Sequence, residues 1–88
     1  MLNIAILGCG RIGQVHARTI KSMSGARVTA VADAYPDPAQ ILADDLGADV
    51  RTIDAIMASD DVDAVVIGTP TTTHYDLIHA AAKAGKAI

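Results

Sequence analysis

Apolar positions along this chain follow two rhythms. Short, nearly continuous apolar runs occur at Leu2 to Leu7, Arg27 to Asp33 and Asp63 to Gly68, while Ala48 to Arg51, with two charged residues among four, reads as a short third strand at an edge. Runs of this length, rich in Val, Ile and Ala, predict buried strands of a parallel sheet. Between them, apolar residues recur three or four apart, which predicts helices. In the first helical stretch Ile12, Val15, Thr19, Ile20 and Met23 fall on one face, the face expected to pack on the sheet. His16 falls on that side too, as a packed histidine rather than a ligand. In the second, Asp37 is placed as N-cap, Pro38 at the first helical position and Gln40 as its capping-box partner. That helix runs to about Leu46 and stops at Gly47. Thr52 caps a brief helix from Ile53 to Ala58. Thr69 to Thr73 read as a loop, with Thr73 and Asp76 at capping-box spacing. A last helix follows from about His74 to Lys83, with His79 either solvated or packed on one of its faces. Lys86-Ala87-Ile88 has the character of a fifth strand just beginning.

The order β-α-β-α-β-α-β-α places the chain in the α/β class, as half of a doubly wound Rossmann fold. Right-handed crossovers give four parallel strands in the order 3-2-1-4, with a possible fifth-strand stub. The turn after the first strand and the loop after the fourth then flank the switch point where open α/β sheets bind ligands.

Composition narrows the picture. Of 88 residues, 51% are hydrophobic and 19% charged, as in a folded domain rather than a disordered segment. With no Phe or Trp and two Tyr, the core must be aliphatic. The net charge of −3 argues against nucleic acid or an anionic membrane as partner. No apolar run approaches a membrane span, and the first motif begins too near Met1 to leave room for a leader. A single cysteine, Cys9, fits a reducing, cytoplasmic setting. Its place near a helix N-terminus could lower its pKa, although a small filler role is the simpler reading. Three scattered histidines and one cysteine lack metal-ligand spacing.

The chemistry lies in Gly8-Cys9-Gly10-Arg11-Ile12-Gly13, directly after the first apolar run. A strand, a G-x-G-x-x-G turn and a helix are the parts of a dinucleotide pyrophosphate site. Gly8 allows the sharp turn, Gly10 lets phosphates approach the backbone, and Gly13 lets helix and strand pack closely. Free N–H groups of the first helical turn face the anion. Asp33 ends the second strand at the expected distance of about 20 residues, where a carboxylate accepts hydrogen bonds from ribose hydroxyls. The residues after it are Ala34 and Tyr35, with no arginine to receive a 2′-phosphate, so the cofactor expected is NAD rather than NADP.

With His16-Ala17-Arg18, Val31-Ala32-Asp33 and Gly68-Thr69-Pro70-Thr71-Thr72-Thr73-His74, the chain resembles throughout the glucose–fructose oxidoreductase, inositol dehydrogenase and rhizopine-catabolism (Gfo/Idh/MocA) family, most nearly its inositol dehydrogenase branch. The resemblance implies that the glycine turn, with the backbone at Arg11 and Ile12, holds the pyrophosphate, and that Asp33 takes the ribose. It implies that Thr69, Pro70 and His74 lie along the nicotinamide half. It further implies an acid–base lysine in a later Glu-Lys-Pro motif and a second, substrate-binding domain. Neither is present within these residues, and Lys86 precedes the position of that lysine. Residues 1–88 are therefore expected to be the N-terminal half of a dinucleotide-binding domain of an NAD-dependent sugar or polyol dehydrogenase, with no catalytic residue of its own. The alternative is a half-fold fragment with no retained cofactor binding. An exposed edge at strand 64–67 is expected to support a homodimer.

Overall fold

The structure, a computed structural model, describes residues 2–68 and 71–88; the side chains of Ile12, Pro36 and residues 71–75 lie outside the described set. Strands β1 (Leu2–Leu7), β2 (Ala26–Ala32), β3 (Asp49–Val50) and β4 (Ala64–Ile67) alternate with helices α1 (Arg11–Lys21), α2 (Pro36–Leu46), α3 (Ile53–Ala58) and α4 (Thr71–Lys83). The sheet is parallel throughout, in the order β3-β2-β1-β4. This is the expected half of a doubly wound Rossmann sheet.

Two cores result, one on each face. Ile4, Ile6, Val28 and Val31 pack with Ala17 and Ile20 of α1 and Ala39, Leu42 and Ala43 of α2. Ala5, Leu7, Ala30, Ala32 and Val65 pack with Ile56 of α3 and Ala81 of α4. The β1–β2 register steps from Ile4↔Val28 to Ala5↔Ala30, so Thr29 is an extra residue that the spacing of apolar positions did not disclose. Its hydroxyl oxygen is buried without a hydrogen-bond partner among the described residues.

Several local expectations are corrected. The buried stripe of α1 is Gly13, Ala17 and Ile20; Val15, Thr19 and Met23 are exposed, and so is His16. Small residues on the stripe let the helix axis lie close to the sheet, and positions further round the helix remain in solvent. Helix α2 begins at Pro36, with Tyr35 as N-cap and no side-chain cap. Asp37 thus lies within the first turn, where its charge still favours the helix dipole, and Pro36 supplies the preset φ at the first position. Gly47 closes α2 in the left-handed region (φ 67°), as expected. Thr52 caps α3 through a 3.1 Å bond accepted from the Ala55 N–H.

Helix α4 starts at Thr71 rather than His74, so Thr73 is inside the helix and not a cap. A run of threonines reads as loop by propensity, but burial of Ala81 and partial burial of Leu77 hold the helix on the sheet. Only Val65 of β4 is fully buried, although the strand is apolar on both faces. The stub pairs in parallel with β4. The Val65 N–H donates to the Ala87 carbonyl (2.9 Å) and the Ala87 N–H to the Asp63 carbonyl (3.1 Å). Among the described residues no helix is long and apolar enough to cross a membrane.

Candidate functional site at the carboxyl ends of the strands

The end of β1 is tied to both neighbours. The Gly8 N–H donates to the Ala32 carbonyl and the Gly68 N–H to the Leu7 carbonyl, each at 2.7 Å. Gly8 then adopts φ 98°, a conformation that favours glycine, and the chain turns into α1. Gly13 sits so close that a Cβ there would lie 1.8 Å from the Gly8 carbonyl oxygen. A Cβ on Gly68 would come within 3.3 Å of the Gly13 nitrogen. Gly8, Gly13 and Gly68 therefore form one tight junction of β1, α1 and β4.

Gly10 is different. Its φ of −74° suits any residue, and a Cβ there would meet nothing within 4 Å. The fold itself does not require glycine at this position. A side chain here would instead project into open space over the helix end. The first turn of α1 has no acidic residue and Gly10 makes no side-chain cap. The N–H groups of Gly10, Arg11 and Gly13 find no acceptor among the described residues, the usual state of a helix start. Such a cradle is suited to an anion.

Cys9 holds the turn in place. Its N–H donates to Asp33 Oδ2 at 2.6 Å, and its carbonyl accepts from Gln14 Nε2 at 3.1 Å. Its side chain is fully buried, with Sγ 3.6 Å from the Ala32 carbonyl oxygen. Burial, then the charge of Asp33, pushes the thiol up to about 11. The helix N-terminus therefore does not activate this cysteine, and packing is its role here.

Asp33 faces the glycine turn through the bond from the Cys9 N–H. Its Oδ1 accepts the Tyr35 N–H at 2.9 Å. Each carboxylate oxygen has one protein donor and a second lone-pair direction left. Beside it opens a cavity of about 580 Å³, a size typical of small-molecule sites, lined by Gly8, Gly10, Asp33, Tyr35, Pro38, Ile53, Gly68 and Leu77 among others. Among the described lining residues Asp33 is the one that carries a charge. A smaller groove of about 400 Å³ between α1 and α2, lined by Gln14, Arg18, Ile41 and Asp45, contains neither the glycines nor Asp33.

The structure thus brings Gly8, Gly10, Gly13 and Asp33 together. Arg11 is exposed at the first position of α1, and Ile12 follows it with its side chain outside the described set. Thr69 and Pro70 lie outside the described residues; His74 is placed in α4 by its backbone alone. Gly68 and Tyr35 enter the sequence reading only as parts of longer stretches, and Ile53 and Leu77 were not picked out as site residues. The strand order carried a signal for Ile53, since α3 starts just beyond the end of β3. Among the described residues no group of three or more His, Cys or Asp side chains could hold a metal.

A family model for an oxidoreductase family with an NAD-binding Rossmann fold matches residues 2–88. The inositol 2-dehydrogenase of Rhizobium meliloti (strain 1021) is 55% identical over 87 residues, which are 99% of this chain and 26% of that protein. A myo-inositol dehydrogenase structure from Corynebacterium glutamicum superposes at TM-score 0.92 with 42% identity, covering 98% of this chain and 26% of that one. A scyllo-inositol dehydrogenase from Lactobacillus casei, solved with bound NAD(H) and scyllo-inositol, superposes at 0.89 with 30% identity, covering 98% and 26%. The chain thus spans about a quarter of the length of these relatives. With the fold, the glycine junction and the family match in agreement, the chain belongs to the Gfo/Idh/MocA family of oxidoreductases, whose Rossmann fold binds NAD.

Proposed function

We propose that residues 1–88 form the N-terminal half of the dinucleotide-binding domain of an NAD-dependent polyol dehydrogenase of inositol dehydrogenase type. In this reading the backbone at Gly8, Gly10, Arg11, Ile12 and Gly13 receives the pyrophosphate, and Asp33 accepts the adenosine ribose hydroxyls through its remaining lone pairs. Thr69, Pro70 and His74 border the nicotinamide half. The observation that carries the proposal is the empty space over Gly10, beside free helix-end N–H groups and within one cavity with Asp33. NAD would supply hydride transfer at its nicotinamide ring; this segment binds and orients it. The proton-transfer group and the substrate pocket belong, in this reading, to the remaining three quarters of a full-length protein. A lone buried thiol suits a cytoplasmic setting. We also place a homodimer contact at the 64–67 edge.

Calorimetric titration with NAD and NADP tests the cofactor. NAD is expected to bind more tightly, because the Asp33 carboxylate repels a 2′-phosphate. Asp33→Ala is expected to weaken NAD by about 1.5–3 kcal/mol, the worth of hydrogen bonds to a charged group, and to narrow the gap to NADP. Equal binding of both cofactors by the unsubstituted chain would overturn the assignment of Asp33.

A further inference from the structure

We infer that Tyr35 is the stacking platform for the adenine ring of the bound nucleotide. The inference rests on the NAD reading above and adds to it a residue that neither the glycine turn nor the ribose carboxylate supplies. Tyr35 is 71% exposed, one of two tyrosines in a chain with no Phe or Trp. The hydrophobic cores make no use of its ring. Its backbone, in contrast, is pinned. Its N–H donates to Asp33 Oδ1 at 2.9 Å, its own conformation is extended, and Pro36 follows it at the start of α2. The ring thus projects from a fixed point two residues beyond the carboxylate and lines the same cavity as Asp33, Pro38, Ile53 and Leu77.

The chemistry of an adenine nucleotide places its base there. The ribose carbon that bears the base is bonded directly to the carbon that bears the 2′-hydroxyl. A ribose held by Asp33 therefore delivers its base to the walls next to Asp33. A purine needs flat, apolar surface, and base–aromatic stacking is an effective way to provide it. Among the described lining residues Tyr35 alone offers an aromatic face; Ile53 and Leu77 offer aliphatic surface. The backbone at Tyr35 is already ordered, so binding has only the side-chain rotamers left to fix.

Absence of Trp makes the inference directly readable in tyrosine emission. The full 88-residue chain is titrated with ADP, which carries adenosine and pyrophosphate without nicotinamide, in the calorimeter and the fluorimeter. ADP is expected to quench the emission. Tyr35→Phe is expected to bind ADP within about twofold of the unsubstituted chain while the quenching disappears, which separates Tyr35 from Tyr75. Tyr35→Ala is expected to bind ADP and NAD about 5- to 150-fold more weakly, the range for loss of one base–aromatic stack. Because Tyr35 is exposed and its N–H is retained in both variants, thermal melts should match that of the unsubstituted chain. Unchanged nucleotide affinity in Tyr35→Ala, or undiminished quenching in Tyr35→Phe, overturns the role of Tyr35 and leaves the NAD reading standing. No heat with either ADP or NAD from the unsubstituted chain overturns both.

Discussion

At the scale of single residues, two glycines of one motif have separate reasons to be glycine. Gly13 is required by the protein, since any side chain would run into the Gly8 backbone. Gly13→Ala must move α1 away from β1, at a cost of about 3 kcal/mol or more, as overpacking against backbone has no flexible neighbour to absorb it. Gly10 is surrounded by open space at an ordinary φ, so Gly10→Ala should leave stability within about 1 kcal/mol. The same change should weaken NAD if the pyrophosphate lies over the helix end as proposed, because the methyl group would project into that space. Urea denaturation of both variants beside NAD titration of Gly10→Ala checks the pair; equal loss of stability in the two would show that packing explains both positions. Cys9 gives a third residue-scale expectation. A fully buried thiol pushed up to about 11 is neutral and inaccessible at pH 8. Its reaction with a disulfide reagent should therefore follow the rate of unfolding or local opening and speed up sharply in denaturant. Immediate reaction in native buffer would show the thiol to be exposed.

Elements were legible from the sequence where one local rule decided them. Gly47 and Thr52 mark a helix end and a helix start by backbone chemistry alone, and both stand where they were read. Of the buried stripe of α1 only Ile20 was legible, because Gly13 and Ala17 carry little hydrophobic signal. The start of α4 and the extra residue Thr29 depend on packing against other elements, which no local window contains. Neither was the link between β3 and the α3–β4 connection foreseen. Arg51, just past β3, donates from Nη1 to Asp61 Oδ1 at 2.9 Å, from Nη2 to Asp61 Oδ2 at 3.1 Å, and from Nη2 to Asp49 Oδ2 at 3.0 Å. Lys86 Nζ reinforces the same connection through the Ser59 and Val62 carbonyls at 2.7 and 2.8 Å. Hydrogen bonds from Arg51 hold the Asp61 carboxyl below its ordinary value. A carboxyl depressed in the folded state stabilises the fold above the unfolded-state value, about pH 4, and the stabilisation is lost as pH falls through the folded-state value. Asp61 is exposed, so solvent screening keeps the effect small. Urea midpoints between pH 6 and pH 2 should fall less steeply in Asp61→Asn than in the unsubstituted chain; parallel curves would mean that the ion pair contributes nothing.

For the molecule as a whole, the α/β order and the sheet order 3-2-1-4 followed from the alternation of strand and helix signals, because crossover handedness leaves few alternatives. The consequence for assembly is finer than an open edge at β4. The stub already occupies its lower half, through the bonds between Ala87 and residues Asp63 and Val65. In a parallel ladder a residue's N–H and C=O point to the same neighbour. The Val65 N–H reaches Ala87 and the Gly68 N–H reaches Leu7, so the Val65 carbonyl and the Ile67 N–H face outward. Among the described residues neither has a partner. The edge available for pairing is thus the upper half of β4, with Ile78 and Ile88 as exposed apolar residues elsewhere in the C-terminal part of the chain. Two copies of the 88-residue chain should pair there in a reversible dimer, small in contact length and therefore dependent on concentration. Sedimentation should show the apparent mass rising toward twice that of one chain with increasing concentration. Hydrogen exchange locates the contact, since protection of the Ile67 amide should rise with the dimer while that of the Val65 amide, already bonded to Ala87, stays constant. A second contact elsewhere would raise the mass and leave Ile67 unchanged. A strictly monomeric chain with a fast-exchanging Ile67 amide would show that the edge remains solvated and that the dimer does not form.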